Sequence, residues 1–342
     1  MVTMKDIALE AGVSRPTVSL ILNGRGTGLR ISDATRLRVH ETAERLGYRP
    51  NELARAMITG KSNFIACVVS GLSWEYESRT LAGVVEEAER HNFFVKVVCV
   101  QEGEDIVALT RRLVGQRPAG LVYRDMCEDR FPLVMEECYN QGIPMALAGN
   151  SLPHARGVRV GIDDAKGAEL ATEHLLGLGH RDIAFGSGVL EAPYATLRHR
   201  GFVAAMAHRG LKAPESRLVM REKLSESERL YGELFSSKPP TAIFCAGDIF
   251  AVLAVRAARR AGLRVPEDLS VVGYADMIMA SFCDPSLTTI AEPFEQIGRA
   301  ATALLFEEIG RKEKLSFSRE LHQELPVKLV VRESTAKPRS AA

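Results

Sequence analysis

The sequence predicts an α/β protein of two doubly wound subdomains, preceded by a small unit of short helices. From Asn63 onward, near-continuous apolar runs alternate with amphipathic segments such as 80–91. This alternation is typical of parallel sheets that are covered by helices on both faces. The runs are too numerous for one comfortable sheet, so we expect two sheets, with a ligand cleft beyond the carboxyl ends of their strands. The runs are FIACVV (64–69), FFVKVVCV (93–100), AGLVY (119–123), IPMALA (143–148), VRVGI (158–162), DIAFG (182–186), TAIFC (241–245) and LSVVG (269–273).

The composition is that of an ordinary globular protein. The chain has 342 residues, 46% of them hydrophobic, and 44 Lys and Arg against 43 Asp and Glu. Collagen and wholesale disorder are excluded by this balance. The sequence contains no run of about 18 apolar residues, which excludes a membrane-spanning helix. The N-terminus lacks the apolar core of a signal peptide, so we expect a cytoplasmic protein.

No motif for a metal, a cofactor or catalysis is present. The cysteines have no CxxC spacing and no neighbouring histidine cluster, which argues against a zinc site and a disulfide framework. No phosphate-binding glycine motif follows a strand, and FGSGVL (185–190) lacks the spacing of a nucleophile elbow. We therefore expect a protein that is not an enzyme and needs no cofactor. The six cysteines are Cys67, Cys99, Cys127, Cys138, Cys245 and Cys283.

The first sixty residues have the pattern of a helix-turn-helix. Thr3 and Asp6 form a capping-box pattern for a helix from Met4 to about Ala11, which Gly12 ends. Ser14 then caps a second helix, whose first turn tolerates a proline. A third helix is predicted from Ser32 to Gly47, with three apolar residues on one face. A small helical cap on the α/β body is the alternative interpretation.

The charge distribution favours DNA binding by this unit. Residues 1–61 contain 10 Lys and Arg against 6 Asp and Glu, a net charge of +4, and the remaining residues have a net charge of −3. Phosphate affinity depends on local basic charge. The whole-chain charge of +1 therefore conceals a basic N-terminal unit and an acidic body.

Several segments in order resemble the LacI/GalR family of bacterial transcription regulators, over essentially the whole chain. They are MKDIALEAGVSRPTVSLILNG (4–24), ATRLRVHETAERLGYRPNELARAMITGKSNFIACVV (34–69), VGIDDAKGAELATEHLLGLGHRDIAF (160–185), LRHRGFVAAM (197–206), RAGLRVPEDLSVVGYADM (260–277) and DPSLTTI (284–290). The resemblance implies a periplasmic-binding-protein-like body and a homodimer on a pseudo-palindromic operator, most simply acting as a repressor. A bound small molecule, a sugar or similar metabolite, then controls operator affinity.

The resemblance also implies domain boundaries. A helix-turn-helix headpiece occupies 1–48, a hinge helix or linker 49–61, and an effector-binding and dimerisation domain 62–332, followed by a flexible tail at 333–342. Within the body, the N-subdomain comprises about 63–161 and 293–323, and the C-subdomain about 163–290.

The predicted DNA contacts lie on the second helix and the hinge. Arg15 stands at the helix start, where a guanidinium can pair with guanine O6 and N7. Leu20 stands where many relatives have arginine, so it either contacts thymine methyls or packs within the headpiece. Met57 matches the family's minor-groove wedge, with packing in an ordinary linker as the alternative. The full set is Thr3, Ser14, Arg15, Pro16, Thr17, Ser19, Leu20, Asn23, Asn51, Ala54, Arg55 and Met57.

The predicted effector contacts come from both subdomains. Arg198, in RHRGF (198–202), matches a family arginine that binds hydroxyls or carboxylates, with an ordinary surface arginine as the alternative. Trp74 and Tyr76 are expected to stack on the ligand or to pack in the core. The full set is Trp74, Tyr76, Asp125, Asn150, Lys166, Arg198, Leu224, Asp248, Ala275 and Phe294.

Two departures from the family pattern bear on the ligand. Ala275 stands where relatives have an aspartate, and Gly247 where many have asparagine. Both changes remove polar anchors for an ordinary hexose, which favours a larger or anionic ligand held by Arg198 and Lys166. Asp276 is expected to cap the segment after it.

A sugar-binding protein of the periplasmic type, with no role on DNA, is the alternative function. It fits the body well. The basic headpiece and the missing signal peptide argue against it.

Overall fold

The protein is described by a computed structural model that covers residues 2–22, 31–49, 62–101, 103–124, 131–149, 157–188, 192–220, 224–311 and 321–339. The chain divides into two compact units, Met1–Ser62 and Asn63–Ala342, which we call the headpiece and the body. No helix in these ranges has the length and apolar character needed to cross a bilayer.

The headpiece contains three short helices in its described part. They are α1 (Met4–Glu10), α2 (Arg15–Leu22) and α3 (Asp33–Arg45). The predicted capping box is confirmed, because Thr3 and Asp6 exchange hydrogen bonds at the start of α1. Ser14 and Ser32 accept hydrogen bonds from the first turns of α2 and α3. The core consists of Ile7, Ala8, Ala11, Val18, Ile21, Val39 and Ala43.

The N-subdomain of the body is built on a six-stranded parallel sheet in the order β11-β5-β4-β3-β1-β2. Its strands are β1 (Phe64–Val69), β2 (Phe94–Cys99), β3 (Leu121–Arg124), β4 (Met145–Ala148), β5 (Val158–Ile162) and β11 (Leu321–Leu325). Its helices are α4 (Glu75–Arg90), α5 (Ile106–Val114), α6 (Phe131–Asn140) and α12 (Phe294–Gly310).

The C-subdomain is built on a four-stranded parallel sheet in the order β7-β6-β8-β9. Its strands are β6 (Ile183–Ser187), β7 (Leu218–Met220), β8 (Ala242–Cys245) and β9 (Ser270–Val272). Its helices are α7 (Asp164–Leu178), α8 (Pro193–His208), α9 (Leu224–Ser237), α10 (Asp248–Arg260) and α11 (Ile278–Phe282). The short strands β10 (Thr289–Ala291) and β12 (Lys328–Val330) pair antiparallel.

The chain passes between the two subdomains three times. It leaves the first sheet after β5, returns to it between β10 and α12, and leaves it again after β11. The carboxyl ends of the parallel strands in both sheets are followed by the segments that line the cavity described below. The topology therefore places loops that are distant in sequence around one cleft.

All eight apolar runs form strands, but one lies in a different environment from the one predicted. The run at 93–100 forms the edge strand β2, and the side chain of Phe94 is 70% exposed. An edge strand has a neighbour on one side only, so its apolar side chains are not all covered. The strands β7, β10, β11 and β12 carry no such run and were not predicted.

The predicted flexible tail is wrong for its first residues. Ser334 is fully buried, and its hydroxyl accepts from the backbone N–H of Thr288 and donates to the carbonyl of Val271. The carbonyl of Ala336 lies 2.8 Å from Nε2 of the buried His180. The segment stays in place because it satisfies buried polar groups at the edge of the second sheet.

Candidate DNA-binding helix and candidate effector cavity

Helix α2 has one face in the headpiece core and one face outside it. Val18 and Ile21 are buried, whereas Arg15 and Pro16 are exposed at the start of the helix. Ser14 is also exposed, and its hydroxyl accepts from the backbone N–H of the residue at the third helical position. The N-terminal turn of α2 therefore presents a guanidinium and a helix N-terminus to the outside, which suits contacts with base edges and phosphates.

Three other predicted contact residues on α2 are partly buried. They are Thr17, Ser19 and Leu20. Leu20 is not one of the side chains that form the described headpiece core, and its contact with thymine methyls stays a prediction. Five predicted contacts lie outside the described residues: Asn23, Asn51, Ala54, Arg55 and Met57.

Thr3 is engaged locally. Its backbone N–H and its hydroxyl each donate to Oδ2 of Asp6 at 2.8 Å. These bonds stabilise the carboxylate and lower the pKa of Asp6. The exposed Thr3 thus fixes the first turn of α1 and remains a predicted phosphate contact.

A cavity of about 310 Å³ lies between the two subdomains of the body, at the carboxyl ends of their strands. Residues from both subdomains line it. The polar ones are Arg124, Asp164, Tyr194, Arg198, Asp248, Tyr274 and Glu292, and the apolar side chains include Trp74, Tyr76, Ile249, Phe250, Ala275, Met277, Met279 and Phe294.

Arg198 is in the wall of this cavity, and its donors are engaged. Its Nε donates to Asp164 Oδ1 at 2.7 Å, Nη1 to the carbonyl of Ala246 at 2.8 Å, and Nη2 to Glu292 Oε1 at 2.7 Å. The guanidinium carbon also lies 3.5 Å from the ring centre of Tyr274. The surface alternative is therefore wrong, because Arg198 is only 7% exposed.

The two carboxylates around Arg198 are buried with it. Burial raises the pKa of Asp164 and of Glu292, and the guanidinium of Arg198 opposes that rise. Asp164 starts α7 and Glu292 lies between β10 and α12. Arg198 therefore links two of the three connections between the subdomains.

A glycine allows this cluster to form. A Cβ atom at Gly201 would lie 2.1 Å from the backbone oxygen of Ala165. Only glycine permits helices α7 and α8 to approach so closely. Since Arg198 and Asp164 lie one turn or less from these two positions, the approach brings them within hydrogen-bond distance.

Asp248 lines the cavity and supports the segment after β9. Its Oδ2 accepts from the backbone N–H of Met277 at 2.7 Å, and its Oδ1 accepts from the hydroxyl of Thr289 at 2.6 Å. Burial raises the pKa of Asp248 to about 7, although both hydrogen bonds oppose the rise. Asp248, which we predicted to contact the ligand, thus accepts hydrogen bonds from other residues of the protein.

The prediction that Asp276 caps the following helix is wrong. Its carboxylate lies 2.7 Å from Nη2 of Arg332. The backbone N–H of Ile278, at the start of α11, donates instead to Oε2 of Glu75 in the other subdomain. Asp276 has a positive φ of 53°, which turns the chain away from a capping geometry.

One wall of the cavity is aromatic and apolar. The rings of Trp74 and Tyr76 are stacked at 6.2 Å, and the ring of Phe294 lies 6.4 Å from Tyr76. Trp74 is 44% exposed, which argues against a role in the core. Ala275 and Met277 belong to the same apolar cluster as Phe294, so the wall is also apolar at position 275.

Arg124 was not predicted and lies at the end of β3, in the cavity wall. It is only 7% exposed, and its Nε has no hydrogen-bond partner among the described residues. The guanidinium carbon lies 5.2 Å from the ring centre of Tyr76. A Cβ at Gly149 would lie 2.5 Å from Nη1 of Arg124. The available sequence signal was a charged residue immediately after the apolar run 119–123.

Four other predicted effector contacts are not seen in the cavity. Lys166 is exposed, and its Nζ pairs with Glu169 at 2.9 Å. It follows the cavity residue Asp164 by two helical positions, about 200° around α7, which turns it away. Asp125 and Asn150 lie outside the described residues, and of Leu224 only the backbone, at the start of α9, is described.

No metal site is evident in the parts of the body and headpiece that the structure describes. There, no three His, Cys, Asp or Glu side chains gather as metal ligands. Burial raises the pKa of Cys67 to about 12, as expected for a cysteine that acts as a small hydrophobic residue.

A helix-turn-helix unit, in one chain with a two-lobed α/β body that encloses a cavity, defines a ligand-responsive DNA-binding regulator. Residues 3–51 match the bacterial regulatory proteins of the lacI family, and residues 172–335 match a periplasmic binding protein-like domain. The HTH-type transcriptional regulator DegA of Bacillus subtilis is 32% identical over 98% of each chain. The chain therefore belongs to the lacI family of bacterial regulatory proteins, and it is a DNA-binding transcriptional regulator.

Two further comparisons agree with this assignment. The HTH-type transcriptional repressor CytR of Escherichia coli K12 is 32% identical over 95% of each chain. A crystal structure of the lac repressor dimer bound to operator and the anti-inducer ONPF superposes with a TM-score of 0.84. It is 28% identical, over 98% of this chain and 99% of that chain. The sequence-based assignment of fold and family is thus confirmed, and the sugar-binding alternative with no role on DNA is not supported.

Proposed function

We propose that this chain represses transcription as a homodimer on a pseudo-palindromic operator, and that a small molecule in the body cavity changes its affinity for that operator. The observation that carries the proposal is the combination of the outward N-terminal turn of α2 with a cavity lined by both subdomains. One headpiece reaches only a half-site, and a two-fold dimer matches a two-fold operator.

The contacts between the subdomains can couple ligand binding in the cavity to operator binding. Arg198 holds two of the connections, and Arg79 on α4 pairs with Glu295 and donates to the carbonyl of Asp276. A ligand that touches both subdomains binds with a free energy that depends on the angle between them. Its binding and operator binding are then coupled reciprocally.

A hinge between the headpiece and the body is part of the proposed mechanism. Residues 49–61 are proposed to fold into a short helix on DNA, with Met57 inserted between base pairs in the minor groove. Arg55 and Lys61 supply phosphate contacts. The family resemblance of this segment supports the role.

Binding rather than catalysis is the proposed role of the body, and the cytoplasm its compartment. The cavity carboxylates hold Arg198, Thr289 and the backbone of Met277. The relatives DegA and CytR are named as transcriptional regulators.

The test uses the full-length chain and an operator selected from randomised duplex DNA. Fluorescence anisotropy on the selected duplex measures affinity, and sedimentation measures the stoichiometry. The proposal predicts two chains per palindrome and a linear fall of log affinity with log salt concentration. One chain per palindrome, or equal affinity for selected and random duplexes, contradicts it.

A further inference from the structure

The hydrogen-bonding groups of the cavity are unequally engaged. Among the described residues, three carboxylates line it, and each already accepts from a protein donor. Asp164 and Glu292 accept from Arg198, and Asp248 accepts from Met277 and Thr289.

Arg124 is a charged donor in the cavity lining whose Nε has no hydrogen-bond partner among the described residues. In the described part of the chain, Arg124 makes no ion pair within 4.0 Å, and its Nε makes no hydrogen bond. The residue is nevertheless buried, with an exposed fraction of 7%. An unpaired buried charge is costly. The carboxylates of Asp164 and Glu292 are near enough for Arg124 to lower their pKa, but both are bonded to Arg198. What Arg124 lacks among the described residues is therefore a hydrogen-bond acceptor of its own.

The wall beside Arg124 selects for a ring. The guanidinium carbon lies 5.2 Å from the ring centre of Tyr76. The ring of Tyr76 in turn neighbours the rings of Trp74 and Phe294. Ala275 and Met277 extend this apolar surface. A cavity of about 310 Å³ is at the small end of ligand pockets, so a molecule of one or two rings fits it.

We propose that the effector is a small ring-bearing carboxylic acid, aromatic or heteroaromatic, whose carboxylate pairs with Arg124 and whose ring packs on the wall formed by Trp74, Tyr76 and Phe294. The planar fork of a guanidinium matches a carboxylate bidentately. This inference rests on the proposed function, because it names the ligand class of the same cavity. It replaces Arg198 and Lys166 as the groups that hold the anion.

The test is titration calorimetry on the full-length chain with named probes. The acids are benzoate, 4-hydroxybenzoate, phenylacetate and nicotinate, and the neutral partners are benzamide, phenylacetamide and nicotinamide. Phenyl phosphate distinguishes a phosphate from a carboxylate, and glucose and cytidine represent neutral sugar ligands. We expect at least one acid to bind, and its amide to bind about 10- to 100-fold more weakly, the factor for losing a hydrogen bond to a charged group.

Arg124→Gln is the decisive variant, with Arg209→Gln as its control. Arg209 is exposed, pairs with Glu173 at 2.6 Å and does not line the cavity. Acid binding should weaken about 10- to 100-fold in R124Q and stay unchanged in R209Q. A cooperative thermal transition of R124Q without ligand shows that the variant is folded.

Three results overturn the ligand class: no acid binds, phenyl phosphate or a neutral probe binds better than every acid, or R124Q binds the acid as the wild type does. Operator anisotropy separates this outcome from failure of the proposed function. An acid that binds through Arg124 without changing operator affinity supports the ligand class and contradicts the regulatory role. A neutral probe that changes operator affinity supports the regulatory role and contradicts the ligand class.

Discussion

The Nη2 atom of Arg198 lies 2.7 Å from Oε1 of Glu292. The pair joins helix α8 of the C-subdomain to the connection that leads into α12 of the N-subdomain. Both side chains are buried, and the guanidinium also binds Asp164 at the start of α7. This cluster therefore has a structural role at the junction of the subdomains, whatever part it takes in ligand binding.

Arg198→Met should destabilise the body by about 3–5 kcal/mol, the usual cost of leaving buried charge without its partner. Asp164 and Glu292 would then face each other without a guanidinium between them. Urea unfolding followed by circular dichroism measures the loss. Arg209→Met, which removes an exposed ion pair with Glu173, should change stability little. Equal midpoints for R198M and the wild type would contradict the structural role.

Arg15→Ala should cost about 1–3 kcal/mol at one base position of the selected operator and spare the others. The reason is that Arg15 is exposed at the start of α2, where a guanidinium reads guanine. Anisotropy on duplexes with single base-pair changes measures the effect. Arg45→Ala is the control, because Arg45 lies on α3 and pairs with Glu10. A uniform loss over all duplexes would show that Arg15 contacts phosphates only.

Much of the fold was predictable because buried parallel strands need apolar residues on both faces. The eight apolar runs therefore mark eight strands. Strand β11, with the sequence LHQEL, escaped the prediction because it lies at the sheet edge and its three central residues are exposed. Strands β10 and β12 have only three residues each, too few for a periodic signal.

The cavity was predictable in part. Arg198 and Phe294 were predicted from the family resemblance, and Trp74 and Tyr76 from their place after the first strand. All four line the cavity, as do the predicted residues Asp248 and Ala275. Arg124 was missed because its significance is that its Nε has no partner among the described residues, which is a property of the fold. Likewise, the ion pairs of residue 198 with 164 and 292 join positions 34 and 94 residues apart in the sequence, and no local pattern encodes such a pairing.

Gly201→Ala should destabilise the body by about 1–3 kcal/mol, the usual cost of overpacking. The added methyl would lie 2.1 Å from the backbone oxygen of Ala165, so helices α7 and α8 must separate. Gly232→Ala is a matched control in the middle of α9, where an added methyl meets nothing within 4 Å. It should stabilise by about 0.5–1 kcal/mol through helix propensity. Urea unfolding of both variants measures the difference, and a stabilised G201A would contradict the close approach.

Asp248 should make the body less stable as the pH rises from about 4 to about 7. Its pKa in the folded chain is raised to about 7 by burial, above the ordinary value of 3.8. Between these two values the folded state holds a proton that the unfolded state has lost. The stabilisation from this proton is fully present below the unfolded pKa and is lost as the pH passes through the folded pKa.

Asp248→Asn isolates this contribution, because an amide has no proton to lose and can still accept from the N–H of Met277. The free energy of unfolding of the wild type relative to D248N should fall by on the order of 2 kcal/mol between pH 5 and pH 8. Urea unfolding at four pH values in this interval measures the difference. Asp268→Asn is the control, since hydrogen bonds from Arg264 lower the pKa of Asp268, so it stays ionised in both states throughout this interval. A difference between wild type and D248N that is constant with pH would mean that the carboxylate of Asp248 is ionised in the folded chain.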